Sequence, residues 1–394
     1  MDQVLSGIRV LDFGRYIAGP YCAALLGDLG ADVIRIERLD GGEDRGVLPV
    51  GDHGEGALYL AVNRNKRGMT LDPACAQGRV IVEKLVATAD VVVANLPPDV
   101  LLNLGLDLES LRKIKPDIIL TTVTAFGAGG PWSHKHGFDG IGQAMCGAVS
   151  LTGTPEQPMR ASVAWVDCGT ASLAAFGTLA ALMARQHSGR GQKVETALLR
   201  TAVAFNNPIL LEQDIRAPDR TAILNRGFMS APSDLFRTQD GWIMVAAIGN
   251  PMFKRWTRLV GEEGWLADAR FKDDITRGAH GEVISARMTQ WTQARSTVEA
   301  LGALEAAMIP AAPVLSPRQA LEDPHIKATG MLAPMDYPGL PRQVLVAPTP
   351  VDLSETPGQL RLRAPMLGEH TDLILEELGF DPAAISGFRQ ARVI

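Results

Sequence analysis

Short β-branched segments alternate with helical segments through the first 126 residues, and this alternation restricts the fold more than any other feature of the chain. The composition predicts buried strands at IRVLDF (8–13), DVIRIE (32–37), DVVVANL (90–96) and DIILTTVTAF (117–126). Because parallel strands need long crossover connections, strands separated by helices favour an α/β protein with a doubly wound, mostly parallel sheet.

The composition changes near residue 225. Residues 1–210 hold the predicted strands and helices of a large domain, and GRGQKVETALLRTAVAFNN (189–207) has the pattern of a turn, a strand and a helix. Residues 225–325 contain Trp-rich and charged helical segments, which predict a smaller α+β domain. Residues 330–394 begin with a stretch rich in Pro and Gly that lacks helical periodicity.

Charge and cysteine usage exclude several classes of protein. A formal net charge of −6 and a pI near 5.7 argue against a nucleic-acid-binding surface. The four cysteines form no CxxC pair, so we expect neither disulfides nor a metal site, and a reducing, cytoplasmic location. No secretory leader and no uninterrupted apolar stretch of about 18 residues is evident, so we expect no membrane partner.

The first strand, turn and helix do not carry the dinucleotide-binding pattern. That pattern needs G-x-G-x-x-G, whereas the turn offers only Gly14 and Gly19, and no GxxxxGK[ST] motif occurs anywhere. Arg38 follows the second strand at its carboxyl end, where ligands of open α/β sheets bind. It has the position of a phosphate ligand on an adenosine ribose, or of an ordinary surface arginine.

Asp167 stands at the entrance of a helix of small and apolar residues in ASVAWVDCGTASLAAFGTLAALMAR (161–185), without a neighbouring Lys or Arg. Aspartate is a favoured N-cap residue, and judged on the local sequence the capping role is the common one. A carboxylate in this place is also a candidate nucleophile. Both interpretations are compatible, because a cap would orient the carboxylate.

Blocks spread over nearly the whole chain resemble the class III CoA-transferases, the family of formyl-CoA, carnitine and bile-acid CoA-transferases. They are SGIRVLDFGRYIAGPYCAALLGDLGADVIRIER, NRNKRGMTLD, ADVVVANLPPDVLLNLGLD, GFDGIGQAMCGAVSLTG, GRGQKVETALL and APMLGEHTDLILEELG. The resemblance implies an intertwined homodimer of interlocked rings. In each chain residues 330–394 return to the large Rossmann-like domain. It also implies an enzyme whose partners are an acyl-CoA and a carboxylic acid, with coenzyme A and no metal.

The resemblance assigns Asp167 as the nucleophile. The carboxylate would attack the acyl-CoA carbonyl to give a mixed anhydride, and the CoA thiolate would return to give an aspartyl-CoA thioester. An aspartate is ordinarily ionised at neutral pH, and a helix N-terminus would favour the anion. The N–H groups of Cys168 and Gly169 are candidate oxyanion donors, and Gly169 would leave room for the thioester.

The resemblance also implies the CoA contacts. Arg38 is the charged residue assigned to a phosphate, and the other contacts use backbone or apolar atoms. Two positions depart from the family, Asn103 where many relatives have Arg and Ala74 near a Lys of formyl-CoA transferases. A CoA phosphate would then be held more weakly, or by Lys66, Arg67, Lys135 or His136 instead. The full predicted set is Ile17, Ala18, Arg38, Leu71, Asp72, Asn95, Leu96, Pro97, His136, Gly137 and Phe138.

Related activities remain alternatives. The α-methylacyl-CoA racemases of the same superfamily use a G-H-D turn, but this chain has Gly137-Phe138-Asp139, and Phe cannot carry a proton. Asp139 is predicted to line the acyl pocket or to cap a turn. Arg15 and Arg226 are candidates for the distal carboxylate of a dicarboxylic acid such as succinate. A CoA-binding protein without catalytic activity is the remaining alternative.

Overall fold

The computed structural model describes residues 3–51 and 55–394, and the chain divides into two compact units. The first unit comprises the chain up to Gly147, then Ala161–Ala217 and Thr329–Ile394. The second comprises Ala148–Arg160 and Pro218–Ala328. Residues 148–160 therefore lie in the second unit, whereas the sequence pattern places them in the large domain.

Strands and helices alternate along the first unit, and the second unit interrupts it before the C-terminal segment. The first unit contains, before residue 218, strands β1 (Arg9–Asp12), β2 (Asp32–Glu37), β3 (Lys66–Thr70), β4 (Val91–Ala94), β5 (Ile119–Thr124) and β6 (Lys193–Ala197), with helices α1 (Ala18–Asp28), α2 (Ala57–Val62), α3 (Ala76–Thr88), α4 (Pro98–Asn103), α5 (Leu108–Ile114), α6 (Asp139–Met145), α7 (Trp165–Ser188), α8 (Leu198–Phe205) and α9 (Asn207–Arg216). The second unit contains β7 (Ser233–Arg237), β8 (Trp242–Ala246) and β9 (Ala311–Pro313), with α10 (Asn250–Val260), α11 (Asp274–Ala279), α12 (Gly281–Gln293), α13 (Thr297–Ala306), α14 (Pro317–Glu322) and α15 (Pro324–Ala328). The C-terminal part of the first unit adds β10 (Ala333–Met335), β11 (Val344–Val346), α16 (Thr371–Glu377) and α17 (Pro382–Gln390).

A parallel six-stranded sheet forms the centre of the first unit. Its strand order is β3-β2-β1-β4-β5-β6, and every pair is parallel. All four residues of β4 are buried, because helices cover both faces of the sheet. The predicted α/β class with a doubly wound parallel sheet is confirmed.

The C-terminal segment packs against this sheet. The N–H of Gly68 on β3 donates to Nδ1 of His370, and the N–H of Thr70 donates to Oγ1 of Thr371, both at 3.1 Å. Ile374 at the same end of the chain belongs to the hydrophobic core. The segment thus covers edge strand β3, whose backbone would otherwise be free to pair with another chain.

The second unit has its own core. Strands β7, β8 and β9 form an antiparallel sheet, and the helices pack aromatic rings against it. The rings of Phe253 and Trp256 are stacked with centroids 5.4 Å apart, and Phe271 lies 6.2 Å from Phe253. This core buries large side chains without drawing on the parallel sheet.

Helix α7 is the longest apolar helix among the described residues. By length and composition it meets the criterion for a membrane span, with a mean hydropathy of 1.4 over its most apolar window. A core helix meets the same criterion, and α7 packs against α1, α8, β5 and β6 of the first unit. These contacts account for the face of α7 that is buried in the unit, and 44% of its most apolar window is buried.

Charged side chains are buried beneath the first strand. Lys66 at the start of β3 is fully buried and donates to Asp12, to the carbonyl of Pro20 and to Asn63 at 2.7–2.8 Å. Arg35 lies 3.6 Å from the same Asp12 carboxylate. Although burial by itself raises the pKa of Asp12, these two cations hold it below its usual range.

Candidate active site

The carboxyl edge of the parallel sheet is the natural place for a site. The strand order reverses between β1 and β4, and ligands of open α/β sheets bind outside the carboxyl ends of the strands at such a reversal. The loops that follow β1, β2, β3 and β4 carry most of the residues predicted to contact a ligand.

A cavity of about 270 Å³ opens at this edge. Five of the predicted residues line it, together with residues that the sequence did not indicate. Its lining consists of Phe13, Gly14, Arg15, Arg35, Ile36, Glu37, Arg38, Gly42, Asp44, Leu71, Asp72, Pro73, Leu96, Val100 and Leu104. The lining combines apolar residues with six charged ones, and small-molecule sites likewise combine apolar walls with polar groups that orient the ligand.

Two of the three arginines that line the cavity, Arg15 and Arg38, have only weak interactions with the protein. Arg38 donates to the carbonyl of Gly41 and lies 3.4 Å from Asp40, with 57% of its side chain exposed. Arg15 forms an ion pair with Glu43, and the side chain of Arg15 is partly exposed and that of Glu43 largely exposed. Exposed ion pairs are weak, so an incoming anion can replace these partners.

Asn95 fixes the loop after β1. Its side-chain amide donates to the carbonyl of Arg15, and its oxygen accepts the N–H of the same residue, both at 2.7 Å. Ile17 and Ala18 lie where this loop enters α1, and Pro97 lies just before α4. The amide of Asn95 is thus used on the protein backbone.

Phe138, at the start of α6, contacts the loop after β1. Its ring packs edge-on against Tyr16, with centroids 5.7 Å apart, and Phe138 is itself largely exposed. A Cβ on Gly137 would lie 3.0 Å from Ala125, so this turn approaches the end of β5 closely. His136 is exposed beside them.

Asp167 also lies at the carboxyl edge of the sheet. Helix α7 runs antiparallel to the strands, because Gly189 turns it directly into the start of β6. Thr178 shares a 2.7 Å hydrogen bond with Thr121 on β5. Asp167 lies about 16 Å before Thr178 along the helix, whereas β5 continues only about 10 Å beyond Thr121. The first turn of α7 therefore projects past the edge of the sheet.

Asp167 is not the cap of its helix. Helix α7 begins at Trp165, and its N-cap, Ala164, makes no side-chain cap bond. Asp139 at the start of α6 supplies the missing acceptor, because its Oδ2 accepts the N–H groups of Val166 at 2.8 Å and of Asp167 at 3.1 Å. The capping interpretation of Asp167 is wrong, and of the two roles predicted for Asp139 the structure shows capping, at this helix.

The first turn of α7 has no spare N–H donor. Trp165 donates to Val163 and Cys168 donates to Ala164, while the two donors between them are used by Asp139. The Cys168 N–H is thus not available as the predicted oxyanion donor. A Cβ on Gly169 would lie 2.6 Å from the ring of Phe205, so this glycine allows α8 to pack closely rather than making room for a thioester.

The pKa of Asp167 is raised to about 7 by burial and by the negative charge of Asp139. The expectation of an ordinary, fully ionised aspartate is wrong, because the helix N-terminus serves Asp139 instead. The Asp167 carboxylate has no hydrogen-bond partner among residues 3–51 and 55–394. A desolvated carboxylate without partners is a stronger nucleophile than a solvated one.

Several basic residues proposed as phosphate ligands have other partners. Lys66 lies at the amino end of β3, away from the carboxyl edge, and is buried on Asp12. Arg67 binds Asp32 and Glu377. Lys135 lies over the ring of Trp132, with its nitrogen 3.7 Å from the centroid. Lys66 and Arg67 are therefore excluded from the cavity by their position.

Arg226 belongs to the second unit, where its charge lowers the pKa of Asp234 against the larger effect of burial.

Four residues near the site were not indicated by the sequence: Gln143, Tyr16, Arg35 and Asp44. No sequence pattern singles them out, since each acts through a neighbour that only the folded chain supplies. Tyr16 has a positive φ of 60°, a strained value that no motif indicates.

Comparison with known proteins decides the family. The sequence profile of CoA-transferase family III matches residues 5–371. The chain belongs to CoA-transferase family III. This CoA-transferase is 34% identical to the succinate–glutarate CoA-transferase of Agrobacterium fabrum, with 95% of each chain covered. It is 32% identical to a formyl-CoA:oxalate CoA-transferase of Rhodopseudomonas palustris, over 98% of this chain and 96% of the relative.

Solved structures agree with this assignment. A CAIB/BAIF family protein from Brucella suis matches with a TM-score of 0.84 and 31% identity, over 96% of this CoA-transferase and 100% of that chain. The fold of the whole chain is therefore that of the family. The predicted class of enzyme, a family III CoA-transferase acting on CoA thioesters, is confirmed.

Proposed function

We propose that this CoA-transferase moves CoA from a dicarboxylyl-CoA to a carboxylic acid through covalent intermediates on Asp167. The observation that carries this proposal is the Asp167 carboxylate itself, which projects past the carboxyl edge of the sheet and is desolvated without a hydrogen-bond partner among the described residues. Structural carboxylates are normally paired or hydrogen-bonded when buried. A carboxylate left without such partners is suited to attack a carbonyl.

The proposed reaction conserves the energy of the thioester. An Asp167 oxygen attacks the acyl carbonyl carbon, and the C–S bond of the thioester breaks. CoA leaves as the thiolate, and a mixed anhydride remains on Asp167. The thiolate attacks the Asp167 carbonyl carbon, so that the donor acid leaves as its carboxylate and an aspartyl-CoA thioester remains. The acceptor carboxylate then repeats these steps in reverse, and each step splits the exchange into smaller barriers.

The cavity at the carboxyl edge is the proposed site for the nucleotide part of CoA. Arg38 supplies the cation for a phosphate, and Leu71, Asp72 and Leu96 line the same space. Ile17, Ala18, Asn95, Pro97, His136, Gly137 and Phe138 extend this site toward Asp167, through the contact of Phe138 with Tyr16.

Succinyl-CoA or another dicarboxylyl-CoA is the proposed donor. The relatives include enzymes named for succinate and glutarate and for succinyl-CoA with citramalate, besides those named for formyl-CoA and oxalate. Arg15 and Arg226 are the proposed ligands for a distal carboxylate, and Arg15 is held by an ion pair with the largely exposed Glu43. Asp139 also stays a proposed part of the acyl pocket.

The proposed assembly is an intertwined homodimer, each chain with a large domain (1–210 and 330–394) and a small one (225–325), in the cytoplasm. Large apolar side chains are exposed on the single chain, among them Phe176 and Met183 on α7 and Ile215 on α9. Exposed apolar residues of this size support the burial of these helices against a second copy.

The pH dependence follows from the raised pKa of Asp167. Because the nucleophile must be ionised, we expect kcat/KM to rise with pH through about 7 and to level off above it. An aspartate with an ordinary pKa would give a flat profile from about pH 5 to about pH 9. The measurement is the initial rate of CoA transfer over that range, and a flat profile would contradict the role of burial and of Asp139.

Replacing Arg38 by Gln should raise the KM for acyl-CoA by about tenfold, the loss of one charged hydrogen bond to a phosphate. The kcat should change little, because the proposed ligand of Arg38 is a phosphate of the nucleotide part of CoA and not the reacting thioester. Arg270→Gln is the matched control, since Arg270 is an exposed, ion-paired arginine of the second unit. If Arg38→Gln and Arg270→Gln have the same KM as the unmodified enzyme, Arg38 does not bind a phosphate.

Trapping of the intermediate tests the proposed function. The protein is incubated with a panel of acyl-CoAs, then with hydroxylamine, and its peptides are analysed by mass spectrometry. An activated aspartyl group gives a hydroxamate, which we expect on the peptide with Asp167 and only with certain donors. No adduct with any donor, together with entry of deuterium at the α-carbon of an acyl-CoA in heavy water, would replace the proposal by the racemase alternative.

A further inference from the structure

Two carboxylates meet at the start of α7. Oδ2 of Asp139 accepts the N–H of Asp167 at 3.1 Å as well as that of Val166, and Asp139 is 7% exposed. The charge of Asp139 is the electrostatic interaction that acts on Asp167. The N-terminus of α7, which would stabilise any nearby anion, is thus occupied by the carboxylate that is not the proposed nucleophile.

Gln143 holds Asp139 in this position. Its side-chain nitrogen donates to Oδ1 of Asp139, and its oxygen accepts the N–H of Ala161 at 2.9 Å. Gln143 is 1% exposed, and a Cβ on Gly142 would lie 3.0 Å from Val166. Helix α6 therefore packs closely against the first turn of α7, and hydrogen bonds to both of its oxygens hold the Asp139 carboxylate in place.

Within the described part of the chain, neither of these carboxylates is paired with a cation. Among the described residues, neither Asp139 nor Asp167 forms an ion pair with Lys, Arg or His. Cys168 is the other titratable group beside them, and its pKa is raised by burial and by both carboxylates. The cations on the neighbouring elements face elsewhere, Arg200 of α8 and Lys193 of β6 toward Glu195. From α1, Cys22 faces Asp12 and Lys66, and β5 contributes no ionisable side chain.

We propose that Asp139 is a positioning residue that fixes the first turn of α7 and places a second carboxylate beside Asp167, so that acylation of Asp167 relieves a repulsion. The proposal rests on the proposed role of Asp167 as nucleophile. In both covalent intermediates the Asp167 side chain is neutral, because the negative charge leaves first on the CoA thiolate and then on the released carboxylate. Asp139 thereby raises the energy of the free carboxylate relative to the acylated enzyme.

Asp139→Asn tests this inference, since the amide oxygen can still accept the two N–H groups of α7 while the charge is lost. We expect the midpoint of the kcat/KM against pH profile to move down by about one pH unit. Without the repulsion from Asp139, the free carboxylate of Asp167 is more stable relative to the acylated enzyme. At pH values above that midpoint, the fraction of enzyme acylated by acyl-CoA in the absence of an acceptor should therefore fall by about tenfold. Acid quenching and intact-mass measurement give this fraction.

A second variant covers the case in which Asp139→Asn fails to fold. In Asp139→Asn/Gln143→Glu the new carboxylate can accept both from the Asn side chain and from the N–H of Ala161, so these two hydrogen bonds are kept and the charge moves away from Asp167. Only the long 3.4 Å bonds from Gln143 to the carbonyls of Ala161 and Val163 are lost. We expect this variant to fold and to show a smaller shift in the same direction. A midpoint and an acylated fraction equal to those of the unmodified enzyme would overturn the proposal.

Asp107→Asn is the control for a purely structural cap. Asp107 accepts the N–H groups of Glu109 and Ser110 at 3.1 Å at the start of α5, so it makes the same kind of bonds away from the site. It should leave the pH profile unchanged. The two proposals fail separately: hydroxamate on Asp167 with an unchanged Asp139→Asn profile overturns only the role of Asp139, whereas an active Asp167→Asn enzyme overturns the proposed function.

Discussion

Asp167→Asn should lower kcat for CoA transfer by at least about a thousandfold, because an amide oxygen cannot form the anhydride. The change is nearly isosteric, and the carboxylate it replaces makes no hydrogen bond with the described residues, so the loss cannot come from broken structure. Initial rates with the best donor of the trapping panel give the measurement. Activity within about tenfold of the unmodified enzyme would remove Asp167 from the mechanism.

The stability of the same variant supplies its control. Burial and Asp139 raise the pKa of Asp167 in the folded state to about 7, above the value of 3.8 that is usual for the group in an unfolded chain. Such a group makes the folded state less stable as pH rises from about 4 to about 7, and Asn carries no such penalty. Asp167→Asn should therefore melt at a higher temperature than the unmodified protein at about pH 8, and at nearly the same temperature at about pH 4. A lower melting temperature at the higher pH would contradict the burial of an ionised carboxylate.

Lys66→Met should reduce the free energy of unfolding by about 3–5 kcal/mol, because it leaves the carboxylate of Asp12 buried with one cation fewer. Both side chains are fully buried at 2.7 Å from one another, and Lys66 also satisfies Pro20 and Asn63. Methionine fills the space of the lysine stem but donates no hydrogen bond. Urea denaturation at fixed protein concentration gives the change.

The control for this prediction is Lys115→Met. Lys115 pairs with Asp117 at 3.1 Å in a partly exposed position, where an ion pair contributes less than about 1 kcal/mol. A further readout separates structure from binding, because folded Lys66→Met should retain the KM for acyl-CoA. Equal stability losses for the two variants, or a raised KM in folded Lys66→Met, would contradict the assignment of Lys66 to the core.

The strands were predictable where hydrophobic residues run without interruption. The predicted DVIRIE segment coincides with β2 at Asp32–Glu37, whereas the prediction for 117–126 exceeds β5, Ile119–Thr124, by two residues at each end. Strand ends depend on where the neighbouring strands stop pairing, which no local sequence contains. The position of Asp167 before a helix of small residues was also readable from the sequence.

The surroundings of Asp167 could not be predicted from the sequence. The sequence suggested a helix cap that favours the ionised carboxylate, but the cap comes from Asp139, which is 28 residues away in the chain. Similarly, Lys66 looked available for a phosphate, although it lies under the sheet on Asp12, 54 residues away. Capping and the pairing of buried charges each need two residues. The packing of α6 brings Asp139 to the start of α7, and the position of β3 brings Lys66 to Asp12.

By itself, the sequence determined the class of fold, the family and the candidate nucleophile, because hydrophobic periodicity and family motifs are local properties of the chain. Only the tertiary structure decided which residues share the cavity with Arg38, which carboxylate holds the N-terminus of α7, and which charges are buried. These depend on desolvation and on distances between residues far apart in sequence. The pKa of Asp167 is raised by desolvation and by the charge of Asp139, and both effects exist only in the folded chain.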